Sequence, residues 1–292
     1  MSMSSFTKTA ENYFSLVKFL HTVFAMPFAM IGFALAVSED GNKFSIRLLL
    51  LVILCMIFAR NAAMGFNRLA DRKYDSLNPR TSKREIPSGK VAPKSATIFV
   101  IINSILFIAA TGFINKVTLL LSPVALLIIL GYSLTKRFTF LCHFILGLGL
   151  SLAPVGAYIS VTGSFSFLPV IYSFIVLTWV SGFDIIYALE DDDFDRKNKL
   201  HSLPSKTGRR KALTISAILH LITFLLLVAA GLAGNGHILY WTGAFLFTGL
   251  LIYQHLIVKP DNLSKVTLAF QTTNGIGSIL FALFVILDIV CF

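Results

Sequence analysis

Two runs of acidic residues carry the chemistry open to this sequence. The first reads Asn67-Arg68-Leu69-Ala70-Asp71-Arg72-Lys73-Tyr74-Asp75. The second reads Asp184-Ile185-Ile186-Tyr187-Ala188-Leu189-Glu190-Asp191-Asp192-Asp193-Phe194-Asp195. A spacing of four puts Asn67, Asp71 and Asp75 on one face of a helix, where such side chains are neighbours. Asp191 and Asp195 repeat the spacing, with Asp184 two turns deeper. Like charges so placed repel by about 0.2–0.5 kcal/mol, and each Asp in hydrocarbon would cost about 2.5–3.5 kcal/mol. Such rows need water and a cation. Oxygen ligands of this kind suit Mg2+, which is commonly held by one or two carboxylates together with phosphate oxygens and water. Asn67, Asp71, Asp75, Asp191 and Asp195 are therefore the expected metal ligands, and the four aspartates the expected catalytic groups. Arg72, Lys73, Arg80, Lys83, Arg84, Lys197 and Lys199 follow the rows and would neutralise the remaining phosphate charge, arginine being the better bidentate partner. The reaction that fits is loss of diphosphate from an allylic carbon. Metal charge stabilises the leaving group, and apolar, aromatic walls keep water from the cation.

The elements that must position these rows are membrane helices. Of 292 residues, 56% are hydrophobic and only 13% charged, with 27 Phe and 8 Tyr. The mean hydropathy is +0.80. Soluble domains carry about 25% charged residues, so a water-soluble fold is excluded, as are disorder and a collagen-like chain. Nine apolar segments are expected to span a bilayer as helices, at 14–37, 46–66, 95–114, 117–134, 138–160, 167–189, 212–233, 238–258 and 267–290. Pro27, Pro123 and Pro154 predict kinks inside them. The first segment reads as a retained helix, since no small-residue cleavage site is evident. The expected architecture is an all-α integral membrane protein, nine helices around a central cavity, forming one domain over residues 1–292.

Lysine and arginine placement sets the orientation. With the N-terminus in the cytoplasm, the far side carries only Lys43, Arg47 and Lys116 of the 25 basic residues. Both motif loops, about 67–94 and 184–211, then lie on the cytoplasmic face, where they can meet. The net charge of +11 thus belongs to membrane loops, and no nucleic-acid partner is implied. Cys55, Cys142 and Cys291 lie in apolar runs as packing residues. The six histidines form no ligand pair. Glu190, Asp192 and Asp193 point away from the row in a regular helix.

The two motifs resemble those of the UbiA family of intramembrane aromatic prenyltransferases. Asn67, Asp71 and Asp75 match that family's first motif, and Arg80-Thr81, Arg84 and Pro87-Ser88-Gly89 are similar to its continuation, with the proline displaced. Asp184, Tyr187-Ala188, Asp191 and Asp195, followed by Leu200-His201-Ser202-Leu203-Pro204, resemble the second motif of the 4-hydroxybenzoate branch. The resemblance covers essentially the whole chain and implies the nine-helix fold. It also implies Mg2+-dependent transfer of a polyprenyl group from polyprenyl diphosphate to a ring carbon of an aromatic acid. That activity serves ubiquinone or menaquinone biosynthesis in the cell inner membrane. It implies that Arg60, Asp184 and Tyr187 serve the aromatic substrate, Arg60 by its carboxylate. Arg68 stands where the family carries a further Asp. That removes one ligand and adds a cation that can touch the diphosphate alongside Arg72, Lys73, Arg80, Arg84 and Lys197. The acceptor stays open between 4-hydroxybenzoate and the 1,4-dihydroxy-6-naphthoate of the futalosine route to menaquinone. A transporter is the rival from another class, with Asp184 and Asp288 as ion sites. The crowding of charge at one face argues against it.

Overall fold

In hydrocarbon every backbone amide must find a partner within the protein, and helices do this locally. The computed structural model describes residues 13, 15, 16, 24–39 and 41–292, and these build a bundle of helices. In chain order they are α1 (Met26–Ser38), α2 (Ile46–Leu77), α3 (Pro93–Gly112), α4 (Lys116–Thr135), α5 (Cys142–Thr162) and α6 (Phe167–Ala188). Two short helices follow, α7 (Asp192–Lys197) and α8 (Leu203–Thr207). Then come α9 (Arg209–Ala233), α10 (Ile238–Ile257) and α11 (Asn274–Cys291).

Among the described residues, seven helices are long and apolar enough to cross a membrane: α2 to α6, α9, and α11 with the turn before it. The expected 238–258 segment forms α10, but Gln254 and His255 interrupt its apolar run. Of the 14–37 segment, α1 is the described helix, while residues 14 and 17–23 lie outside the described residues. The expected count of nine is thus represented by seven spans, α10 and the described part of the first. Pro27 sits in the first turn of α1, so it starts that helix and does not kink it. A proline there costs no hydrogen bond, because its missing N–H would be unpaired anyway. Pro123 and Pro154 lie inside α4 and α5 as expected. α2 continues past residue 66 without a break and carries the whole first motif to Leu77.

α6 is the central helix. Its most apolar stretch is 67% buried against other helices, compared with 22% for α4. α5 and α9 pack along it, α2 pairs with α3, and α10 with α11. The core on the C-terminal side is aromatic. Phe28, Trp179, Phe247 and Phe281 are almost fully buried, with contacting ring centroids 5.3 to 6.3 Å apart. One polar network is sealed inside it. Trp179 Nε1 and Gln254 Nε2 donate to Asn274 Oδ1 at 2.8 and 2.9 Å. The Asn274 amide donates to the carbonyls of Ala269 and Phe270 at 2.9 and 3.0 Å. Those carbonyls belong to a π-helical turn, Leu268–Thr273, that leads into α11. Its wider coil leaves carbonyls for a side chain to satisfy.

Asp288 accepts the backbone N–H groups of His237 and Tyr240 at 2.9 and 3.0 Å. It therefore caps the start of α10 from α11, satisfying donors that the helix cannot. α1 and α5 meet at closest range where Gly32 faces Pro154, and a Cβ at Gly32 would collide with the Pro154 carbonyl oxygen. Gly32→Ala should lower thermal stability in detergent by about 1–3 kcal/mol, the usual cost of overpacking. An unchanged melting temperature would show that this contact yields freely.

Candidate active site

The first row sits at one end of the bundle, on the last turns of α2. Asn67 Nδ2 donates to Asp71 Oδ2 at 3.2 Å. The chain leaves α2 at Asn78 and turns back, so that Arg84 donates to Asp75 Oδ1 at 2.7 Å and Thr81 Oγ1 to the Asp75 carbonyl at 3.2 Å. The second Asp75 oxygen is buried with no hydrogen-bond partner.

The second row departs from the regular helix expected of it. α6 stops at Ala188, a tight 3-10 turn covers Leu189–Asp191, and α7 begins at Asp192. This break redistributes the acidic run. Asp192 is buried and gripped by the Arg209 guanidinium at 2.8 and 2.9 Å, with Arg196 at 3.4 Å. Exposed Asp193 meets the same Arg209 at 3.1 Å. These two lie off the row as expected. Glu190 does not. It accepts from Arg80 Nη1 at 3.3 Å and from Thr267 Oγ1 at 3.2 Å, which places it beside Asp191.

The two rows converge. Asn78 Nδ2 donates to Asp191 Oδ1 at 3.0 Å, and Arg80 Nε donates to the same oxygen at 3.1 Å. Arg80 Nη2 also pairs with Asp191 Oδ2. Arg80 Nη1 donates to the Tyr187 hydroxyl at 2.7 Å, with the guanidinium carbon 5.0 Å from that ring's centre. A third segment joins them, the link between α4 and α5. Lys136 Nζ lies 2.8 Å from Asp195 Oδ1, and Arg137 Nη2 lies 3.7 Å from Asp71 Oδ1 while donating to the Ala70 carbonyl at 2.7 Å. Each of the four aspartates thus has its own cation: Arg137 for Asp71, Arg84 for Asp75, Arg80 for Asp191 and Lys136 for Asp195. Burial alone would depress the Lys136 ammonium, but Asp195 outweighs it and holds the lysine above its ordinary value. Burial likewise works against Arg80, and Tyr187 and Asp191 override it, raising its pKa.

Of the six expected diphosphate groups, Arg80 and Arg84 lie among the aspartates. Arg68 is buried, its Nε 4.0 Å from Glu85 Oε2. Arg72 donates to the Leu69 carbonyl of its own helix at 2.7 Å, and Lys73 and Lys197 are exposed. The three expected acceptor groups are held by different partners. Tyr187 is stacked on Phe270 at 4.1 Å and bonded to Arg80. Asp184 accepts from His143 Nδ1 at 2.7 Å. The Leu203 N–H donates to the other ring nitrogen of His143 at 3.2 Å, which places the imidazole proton on Nδ1. Arg60 lies seven residues before Asn67 on the same face of α2. It lines an apolar cavity of about 310 Å³ between α2, α4 and α5, with Tyr132 nearby, and among the described residues it is the one charged residue of the lining. Its Nε is buried without a hydrogen-bond partner. Asn78, Lys136, Arg137 and His143 were absent from the sequence-based site. The Lys136-Arg137 pair could have been found as the one basic pair in the short link between segments four and five; nothing in the sequence marks the other two.

The donor set is oxygen throughout and includes buried carboxylate oxygens of Asp75 and Asp195 without a hydrogen-bond partner, which suits a hard divalent cation. Among the described residues no three acidic, His or Cys side chains are drawn into a closed metal cluster. Each row offers its own pair.

Residues 25–284 match the model of the UbiA prenyltransferase family. The chain belongs to that family. It is an integral membrane prenyltransferase. It is 30% identical over 250 residues to the 4-hydroxybenzoate octaprenyltransferase of Aliivibrio fischeri (strain MJ11), a match covering 85% of this chain and 86% of that protein. Its fold is similar to that of a UbiA homolog from Aeropyrum pernix K1, with TM-score 0.80, 29% identity, and coverage of 93% of this chain and 97% of that one. A UbiA homolog from Archaeoglobus fulgidus bound to DMAPP and Mg2+ shares the fold at TM-score 0.74 and 22% identity, over 96% of this chain and 100% of that one.

The Lys136–Asp195 pair is open to direct measurement. Lys136→Met leaves the Asp195 charge buried alone and should cost roughly 2–3 kcal/mol, below the fully buried range because Lys136 is partly exposed. Adding Asp195→Asn should recover part of that loss in a double-mutant cycle of thermal unfolding. Simple additivity would show that the two groups do not interact.

Proposed function

We propose that this prenyltransferase moves a polyprenyl group from polyprenyl diphosphate to a ring carbon of an aromatic acid, 4-hydroxybenzoate, in quinone biosynthesis. It would act at the cytoplasmic face of the bacterial inner membrane, with Mg2+ as cofactor. The observation that carries this reading is the convergence of two aspartate rows, each carboxylate matched to a cation, at one end of an apolar bundle. The names of the curated relatives support the acceptor, and the bound ligands of the Archaeoglobus fulgidus homologs support the donor and the metal.

Asn67, Asp71, Asp75, Asp191 and Asp195 are the residues that would hold Mg2+. When bound, the metal supplies charge to the departing diphosphate. Arg80 and Arg84 already sit among the carboxylates and are placed to transfer their hydrogen bonds to phosphate oxygens, for which the guanidinium fork is well shaped. Lys136 and Arg137 add positive charge from the opposite side. The apolar helices below exclude water from the allylic cation that forms as the carbon–oxygen bond breaks. A ring carbon of the acceptor forms the new bond and loses its proton. Arg60 meets the acceptor carboxylate: among the described residues it is the one charge in an apolar cavity, and it has an unpaired buried nitrogen. The transporter reading loses its two candidate sites, because Asp288 caps α10 and Asp184 is bonded to His143.

Membranes containing the protein, given farnesyl or octaprenyl diphosphate, should prenylate 4-hydroxybenzoate, with products identified by mass. Prenylation of 1,4-dihydroxy-6-naphthoate alone would move the protein to the other quinone route. EDTA should stop the reaction and Mg2+ restore it. Asp71→Ala and Asp191→Ala should each cut kcat/KM by about 100-fold or more while the protein still inserts, and near-normal turnover would remove the metal assignment. Arg60→Ala should raise KM for the acid more than for the diphosphate; equal effects would reject its carboxylate role.

A further inference from the structure

The two halves of the bundle are filled differently. The half built by α1, α6, α9, α10 and α11 is closed by the aromatic core of Phe28, Trp179, Phe247 and Phe281. The half built by α2 to α5 contains the apolar cavity. The cavity has a direction. Arg60 and Tyr132 line it on the side of the motif loops, since Arg60 shares the stripe of Asn67 and Asp71, and Tyr132 lies one turn before Lys136. Thr118, Ser122 and Ser160 line it toward the opposite end of α4 and α5. Tyr132 and Thr118 are 14 residues apart on α4, about 21 Å of helix at 1.5 Å per residue.

Gly156 lines the deep part. Its neighbours Ala153 and Ala157 belong to the same buried cluster as Val52 of α2, and Val52 lies 19 residues before Asp71 on that helix, about 28 Å away along its axis. Among the described residues, a Cβ built on Gly156 meets nothing within 4 Å. The close approach of two backbones, the usual reason for a glycine in a membrane helix, is therefore absent here. That close approach is the reason at Gly32, where the added carbon collides. The space beside Gly156 is open cavity.

We propose that Gly156 determines which donors this enzyme accepts, by keeping the far end of the cavity open for the distal isoprene units of a long prenyl diphosphate. The inference rests on the donor reading given above. A donor whose diphosphate lies at Asp71 and Asp191 has one apolar course into this half of the bundle, past Arg60 and Tyr132 toward Gly156. A short chain ends before that depth. A long one must pass the glycine, and any side chain there occupies its path. Gly156 is a specificity-determining position and touches no reacting atom.

The test compares geranyl, farnesyl and octaprenyl diphosphates on the full-length enzyme in membranes, with 4-hydroxybenzoate as acceptor. Gly156→Leu should reduce the ratio of octaprenyl to geranyl kcat/KM by about tenfold or more. Gly156→Ala should shift the ratio in the same direction by less, which keeps the test open if the leucine variant folds poorly. A parallel measurement needs no acceptor: thermal stabilisation of the solubilised protein by each diphosphate with Mg2+. There the gain from octaprenyl should fall relative to geranyl in the variants. If the wild type modifies neither acid, the acceptor reading fails, and the stabilisation series still decides the role of Gly156. An unchanged length ratio in both measurements, or equal losses for every donor length, would overturn the inference.

Discussion

Four carboxylates at the mouth of a membrane bundle pose one electrostatic problem, and much of the site's structure answers it. Unpaired charges in a medium of low dielectric cost far more than any surface pair gains. The protein matches each aspartate with a separate cation, drawn from two connections: Arg80 and Arg84 from the chain after α2, Lys136 and Arg137 from the link between α4 and α5. This requirement explains why the ends of α2, α4 and α6 must lie together. It also makes the site ready for an anionic substrate, because the same cations can be shared with phosphate oxygens. On the reading proposed above, neutrality inside the resting protein and affinity for a diphosphate would arise from the same four side chains.

The acidic rows were legible in the sequence because a spacing of four is a local property of a helix. The continuity of α2 through Leu77 bears this out for Asn67, Asp71 and Asp75. The second row was read less well. Assuming an unbroken helix assigned Glu190 to the outside, whereas the tight turn at Leu189–Asp191 swings it toward Arg80. What could not be read were pairings between residues far apart in the chain. Lys136 and Asp195 are 59 residues apart, and His143 and Asp184 are 41 residues apart. No periodicity connects them. Arg68 shows the same limit from the other side. Its place in the motif suggests a phosphate ligand, and nothing there shows that it is buried near Glu85.

The membrane segments were legible for the same reason as the rows, since a long apolar run has few alternatives in lipid. α10 was harder, because Gln254 interrupts its apolarity in order to reach Asn274 inside the core. The π-helical turn, Asn274, Gln254 and Trp179 form a single polar knot that holds Phe270 against Tyr187 and so reaches the Arg80 cluster. A buried polar network of this type is costly if half made and rigid when complete. Its position behind the second motif links core packing to the geometry of Asp191.

α4 separates the cavity from its surroundings by the thickness of one helix. Leu121 and Val124 line the cavity and are 38% and 54% exposed. Between helices in a bilayer there is little hydrophobic driving force, because lipid tails are as apolar as leucine. When α4 leans outward, its side chains exchange one hydrocarbon neighbour for another. What resists that movement is shape complementarity with α2 and α5, together with the anchor of Lys136 on Asp195 at its end. A prenylated product crossing there would enter the leaflet without meeting water.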